Sequence, residues 1–357
     1  DEDESWDAVW DSRVNIVENG WIAEMKIPYS ALRFPKKEKQ LWGLQLFRNI
    51  TRYREESTWN FINLEEEGLN NQAGELHGIE NVNPPLRLSF VPYLSGYLVK
   101  SPGTKQWGNS YNLGLDLKFG INESYTLDMT MVPDFGQVQS DNEIYNLSPF
   151  EVYYDERRPF FMEGTELFNK GNVFYSRRVG KTPSGYGSVA DSLADQEEIA
   201  SNPQYAQLIN ATKISGKSRG KLAVGMFNGM TANTWAEVKD TLSGDQRRVK
   251  TEPFTNYNML VVDQALKNNS YFSLYNTNVY QPDKSFAANV TGSELKLTTR
   301  SNAFAVWGQG IVSQKYLQGV NPEFGYLYSI VAGKISGRFT FELSHDVIDD
   351  KYDPNDM

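Results

Sequence analysis

Residues 112–131 decide the fold: Asn112-Leu113-Gly114-Leu115-Asp116-Leu117-Lys118-Phe119 and, after a polar turn, Tyr125-Thr126-Leu127-Asp128-Met129-Thr130-Met131. Leucines and Phe119 alternate with Asn112, Gly114, Asp116 and Lys118 in the first run. In the second, Tyr125, Leu127, Met129 and Met131 alternate with Thr126, Asp128 and Thr130. Successive side chains of a strand point to opposite faces, so each run carries one apolar and one polar face. Similar runs, separated by polar turns, predict strands near 86–100, 111–119, 124–132, 205–214, 221–229, 256–266, 270–280, 286–297, 301–311, 325–335 and 337–346. Most are about 9–11 residues long, the length that crosses a bilayer when tilted. Strands of soluble sandwiches are usually shorter, about five or six residues. The expectation is an all-β chain with an antiparallel outer-membrane β-barrel over residues 83–357.

Composition agrees with that expectation. The chain has 357 residues and a mean hydropathy of -0.54. No apolar run reaches the ~18 residues of a membrane helix, which excludes a helical membrane protein. Aromatics make up 13% of the residues, as suits interfacial girdles. There is no cysteine, so disulfides, thiolate catalysis and Cys-ligated zinc are excluded. The only histidines, His77 and His345, leave little scope for a His-rich metal centre or a Ser-His-Asp triad. The net charge of -10 and the lack of a basic stripe argue against a nucleic-acid partner.

Two regions depart from the long alternation. Residues 1–82 read as part of a β-sandwich. Arg13–Val17 and Trp21–Ile27 form a hairpin across Asn19-Gly20, and further strands run through 41–50 and 57–61. Val82-Asn83-Pro84-Pro85 is a stiff boundary. Residues 133–204 break the barrel pattern. Their aromatics and paired charges over 133–180 suit an ordered insert that packs inside or over one end of the sheet, narrowing a polar lumen. Residues 182–203, rich in Ser, Gly, Ala and acids, read as a mobile loop.

The motifs carry a resemblance. Trp21-Ile22-Ala23-Glu24-Met25-Lys26-Ile27-Pro28-Tyr29-Ser30-Ala31-Leu32-Arg33-Phe34, with Trp42-Gly43 and Phe47-Arg48, resembles the C-terminal part of family-nine-type carbohydrate-binding domains. Pro133-Asp134-Phe135-Gly136-Gln137-Val138, Glu156-Arg157-Arg158-Pro159-Phe160-Phe161-Met162-Glu163-Gly164 and Phe174-Tyr175-Ser176-Arg177-Arg178-Val179-Gly180 resemble a barrel domain of unknown function that follows such a module in Gram-negative outer-membrane proteins. The resemblance implies a bacterial outer-membrane location. It also implies that sandwich strands are missing in front and barrel strands behind, with the chain a fragment of a longer protein.

Candidate sites follow from side-chain chemistry. Trp6, Trp10 and Trp59 lie near segment ends and suit stacking on a sugar, whereas Trp21 and Trp42 read as sandwich core. Asp1, Glu2, Asp3, Glu4 and Asp7 form an acidic cluster that would take calcium or else stay solvated. Asp155, Glu156, Arg157, Arg158, Glu163, Arg177 and Arg178 read as an ion-pair network that pins the insert. Asp134, Asp141 and Glu163 are the candidate carboxylates if the chain is a glycosidase, which needs two carboxyls about 5–10 Å apart. The leading expectation is non-catalytic: a barrel carrying a glycan-binding, uptake or docking module, with lipid and carbohydrate as partners. The alternatives are an outer-membrane glycoside hydrolase and a structural subunit assembled with other outer-membrane proteins.

Overall fold

Period-two alternation becomes strand almost everywhere it occurs. The fold is that of a computed structural model, which describes residues 8–32, 34–63, 69–99, 108–133, 152–162 and 164–354. The N-terminal region holds three short antiparallel ribbons. β1 (Asp11–Val17) pairs with β2 (Gly20–Lys26), β3 (Trp42–Leu44) with β6 (Gly74–Leu76), and β4 (Phe47–Ile50) with β5 (Glu55–Thr58). The Asn19-Gly20 hairpin is as expected, with Val17 opposite Gly20. Its packing is not. Trp21, expected in a core, is 63% exposed, because a two-stranded ribbon has no second layer to bury it. Trp42 does pack, against the rings of Tyr29 and Phe34.

The remaining strands are β7 (Leu88–Val99), β8 (Gly108–Gly120), β9 (Tyr125–Met131), β10 (Glu197–Ser201), β11 (Leu208–Lys217), β12 (Leu222–Thr231), β13 (Thr234–Asp240), β14 (Gln246–Glu252), β15 (Thr255–Ala265), β16 (Tyr271–Gln281), β17 (Phe286–Thr298), β18 (Phe304–Leu317), β19 (Glu323–Lys334) and β20 (Phe341–Ile348). Eleven of them form one antiparallel sheet in the order β7-β8-β9-β11-β12-β15-β16-β17-β18-β19-β20. β7 and β20 are its edges and do not pair with one another, so among the described residues the sheet is open rather than a closed barrel.

The two ends of the sheet differ. At one end the links are turns of four to six residues: 121–124, 218–221, 266–270, 299–303 and 335–340. The opposite end carries the long connections 132–207 and 232–254 together with the short turns 282–285 and 318–322. The N-terminal region enters β7 at the short-turn end. There the backbone N–H of Lys36 donates to Glu123 Oε1 at 2.9 Å.

The insert leaves β9 at the long-connection end and folds back over one face of the sheet. A helical turn, α1 (Pro159–Met162), and the loops after it bring Phe161, Phe168, Val173 and Val179 onto Leu208, Phe227, Met259, Val261, Tyr275 and Ile311. The polar lumen expected from the alternation is therefore corrected. Over its centre, the face that the insert covers is the main hydrophobic core, because the insert supplies apolar partners for it. Tyr275 fits there because glycine stands at two neighbouring positions. A Cβ on Gly171 or Gly292 would lie 2.3 Å from the Tyr275 ring or hydroxyl, and Gly171 also has φ +66.

Residues 182–203 are likewise ordered where described. A 3-10 turn over Gly187–Ser192 leads to β10, which joins β13 and β14 in a separate three-stranded sheet around buried Val189, Ala236 and Val238. β10 gains a partner strand from the 232–254 connection, which composition alone does not reveal.

Candidate functional site

The motif at 155–158 becomes a lock. Glu156 accepts hydrogen bonds from the backbone N–H groups of Arg157 and Arg158, from the Arg158 guanidinium (Nε 2.9 Å, Nη2 2.7 Å) and from the Ser176 hydroxyl at 2.6 Å. Arg158 also donates to the carbonyls of Val179 at 2.7 Å and Ser176 at 2.6 Å. Its guanidinium carbon lies 4.1 Å from the centre of the Phe161 ring. One guanidinium thus joins 156, 161, 176 and 179, which are far apart along the insert. Burial pushes the Glu156 carboxyl up, but the Arg158 hydrogen bonds and charge outweigh it and hold it below the usual carboxylate range. Arg177 donates to the carbonyl of Asp155 and stands 3.9 Å from Glu156. Arg178 is buried beside the Tyr175 ring. Of the predicted set, Glu156 thus meets Arg158 and Arg177, Asp155 contributes its backbone carbonyl, and Glu163 lies outside the described residues.

A second set of contacts ties the insert to the wall. Lys170 pairs with Asp263 of β15 at 3.0 Å and lies over the Tyr271 ring. The Gly171 N–H donates to Glu294 of β17 at 2.9 Å. Buried Lys213 of β11 donates to the carbonyl of Phe160 and sits over its ring. Sequence reading missed these groups, because single charges in alternating strands look like ordinary polar-face positions.

The other candidates are dispersed. Trp59 is 59% exposed, its ring lying against Gly74, where a Cβ would stand 2.4 Å away. Trp10 is 41% exposed, and Trp6 lies outside the described residues. So do the acidic cluster at 1–7 and the carboxylates Asp134 and Asp141. Among the described residues, no three His, Asp or Glu side chains converge to hold a metal. His77 is an exposed partner of Glu75 at 2.9 Å. Glu156 and Asp263 are each engaged by a cation, and Glu294 by the insert backbone. These three carboxylates thus serve to fix the insert.

A family model described as Domain of unknown function (DUF5916) matches residues 84–357, and the chain belongs to that family. No curated protein matches the chain. Among solved structures the chain is similar to OmpT, an outer membrane protein of Vibrio cholerae. A form lacking loop L8 is 12% identical, covers 72% of this chain and 93% of its own, and has a TM-score of 0.27. The in-vitro folded protein is 11% identical, covers 73% and 87%, and has a TM-score of 0.28. Likenesses this distant decide neither fold in detail nor function.

Proposed function

We propose that this chain is an outer-membrane β-barrel protein that is filled by its own insert and serves to dock glycans rather than to pass them through an open pore. The observation that carries the proposal is the split between the two sheet faces. One face is covered over its centre by the insert. The other exposes Leu94, Leu113, Met226, Leu260, Leu274, Val306 and Ile330 to the surroundings. An uncovered apolar face across so many strands is what a lipid-facing band requires and what water disfavours.

Several amides on that face satisfy one another. Asn228 Nδ2 donates to Asn256 at 2.7 Å and Asn258 at 2.8 Å, and Asn276 Nδ2 donates to Asn289 at 3.0 Å and Thr291 at 2.8 Å. Hydrocarbon tolerates amides only when they are paired in this way. The end whose links are all short suits the periplasmic side, and the end that bears the two long connections suits the external side. Lipid does not tolerate open strand edges, so this reading requires β7 and β20 to be paired in the membrane.

Glycan docking rests on the exposed rings of Trp59 and Trp10 and on the resemblance of the N-terminal region. The test combines fractionation of the protein in its native envelope with a glycan-binding panel. The proposal expects an outer-membrane band whose gel mobility shifts on boiling, and glycan binding that falls at least tenfold in Trp59→Ala. A water-soluble protein with no heat shift would overturn the membrane reading, and binding indifferent to Trp59→Ala would overturn the docking site.

A further inference from the structure

At the long-connection end, a cavity of about 270 Å³ opens between the insert and the ends of β15–β18. That is just below the ~300–1,000 Å³ of typical ligand pockets, so its occupant is small. Three charged side chains line it: Lys181, Glu252 and Lys284. Glu252 is only 5% exposed, and both lysines are exposed. The Glu252 carboxylate accepts from the Ser184 backbone N–H at 2.6 Å and the Gln281 amide at 3.0 Å, both neutral donors. Lys284 donates to the Ser184 hydroxyl at 3.3 Å. Ser184 therefore separates a buried negative charge from a positive one at the rim. Among the described residues, none of the three charges has an ion-pair partner.

A buried carboxylate without a cation is costly, and a ligand cation relieves that cost. A simple anion is repelled by Glu252, and a diamine by the two lysines. A neutral sugar leaves all three charges uncompensated. The remaining wall includes Tyr257, Val279 and Phe286, which suits an apolar group. We propose that this cavity binds a free α-amino acid with an apolar side chain. Its ammonium lies on Glu252, its carboxylate between Lys181 and Lys284, and its side chain against the apolar wall.

The proposal is independent of membrane insertion and of glycan docking. Its test is calorimetric titration of the full chain in detergent with five probes: L-leucine, 4-methylpentanoate, isopentylamine, O-phosphoethanolamine and D-glucose. L-Leucine is expected to bind at least tenfold more tightly than each of the others. Glu252→Gln keeps the shape and the acceptor for Ser184, and is expected to weaken L-leucine at least tenfold while leaving 4-methylpentanoate no weaker. The double change Lys181→Met and Lys284→Met is expected to weaken L-leucine and leave isopentylamine no weaker. Unchanged circular dichroism of each variant shows that it has folded. Failure of L-leucine to bind the folded parent overturns the proposal, as does binding indifferent to Glu252→Gln. Equal affinity for O-phosphoethanolamine overturns the amino-acid assignment in favour of a zwitterionic headgroup.

Discussion

Replacing Glu156 with Gln keeps the side chain's shape and removes the charge that Arg158 is buried with. Breaking a buried pair from one side costs about 3 kcal/mol, because the remaining charge loses its compensation. Limited proteolysis is expected to cut the insert of Glu156→Gln while sparing the strands. The same group sets a pH response. Its carboxyl is lowered in the folded chain from an ordinary value of 4.5. The stabilisation is therefore complete above that value and is lost as pH falls through the lower folded value. Protease resistance of the insert should fall at acid pH in the parent and show a weaker acid dependence in Glu156→Gln. At Gly292 the expectation is steric: Gly292→Ala drives a methyl into the Tyr275 ring and destabilises by about 1–3 kcal/mol, read as a lower midpoint of thermal unfolding. The Glu156–Arg158 pair was legible because its members lie two residues apart in a charged, aromatic motif. The Gly171–Tyr275–Gly292 contact was not, since only tertiary packing brings those residues together.

At the level of elements, the strands of the large sheet were the most legible part of the chain. Alternation at Leu113–Phe119 or Tyr125–Met131 has no competing helical reading. The β13–β14 hairpin was missed. Thr234-Trp235-Ala236-Glu237-Val238-Lys239 and Gln246-Arg247-Arg248-Val249-Lys250 are short and mix strand formers with charged residues that strands do not favour. Their pairing is fixed by context, including a fork between Arg247 and Glu197 of β10 with both bonds at 2.7 Å. The Arg247 hydrogen bonds and the Ala194 N–H draw the Glu197 carboxyl down to about 2, so this attachment holds well into acid. Arg247→Gln is expected to speed amide exchange across 197–201 while leaving β15–β18 unchanged. The insert's clamp on β12 is larger. Phe227 is buried against Phe161, Phe168 and Phe174, and Phe227→Ala should cost about 3–5 kcal/mol and release the insert to protease.

The large sheet has one face covered over its centre by the insert and the other face bare, and the account rests on lipid covering the bare face. The sequence shows the two-faced strands plainly. Which set faces the insert depends on residues 152–193, whose packing follows no short period and so escapes pattern reading. On this account a charge on the bare face is penalised and one on a loop is not. Leu260→Arg should therefore lower recovery of heat-shifted barrel, in line with a penalty of about 2–4 kcal/mol near a bilayer midplane. The most direct measurement uses the absence of cysteine, which makes any introduced label unique. Spin labels at 272, 273, 274 and 277 of β16, in lipid vesicles, would be read for collision with apolar oxygen and with a water-soluble nickel complex. The account predicts high oxygen and low nickel access at 272 and 274, and little access to either at 273 and 277, beneath the insert. Free nickel access at 272 and 274 would place that face in water and contradict it.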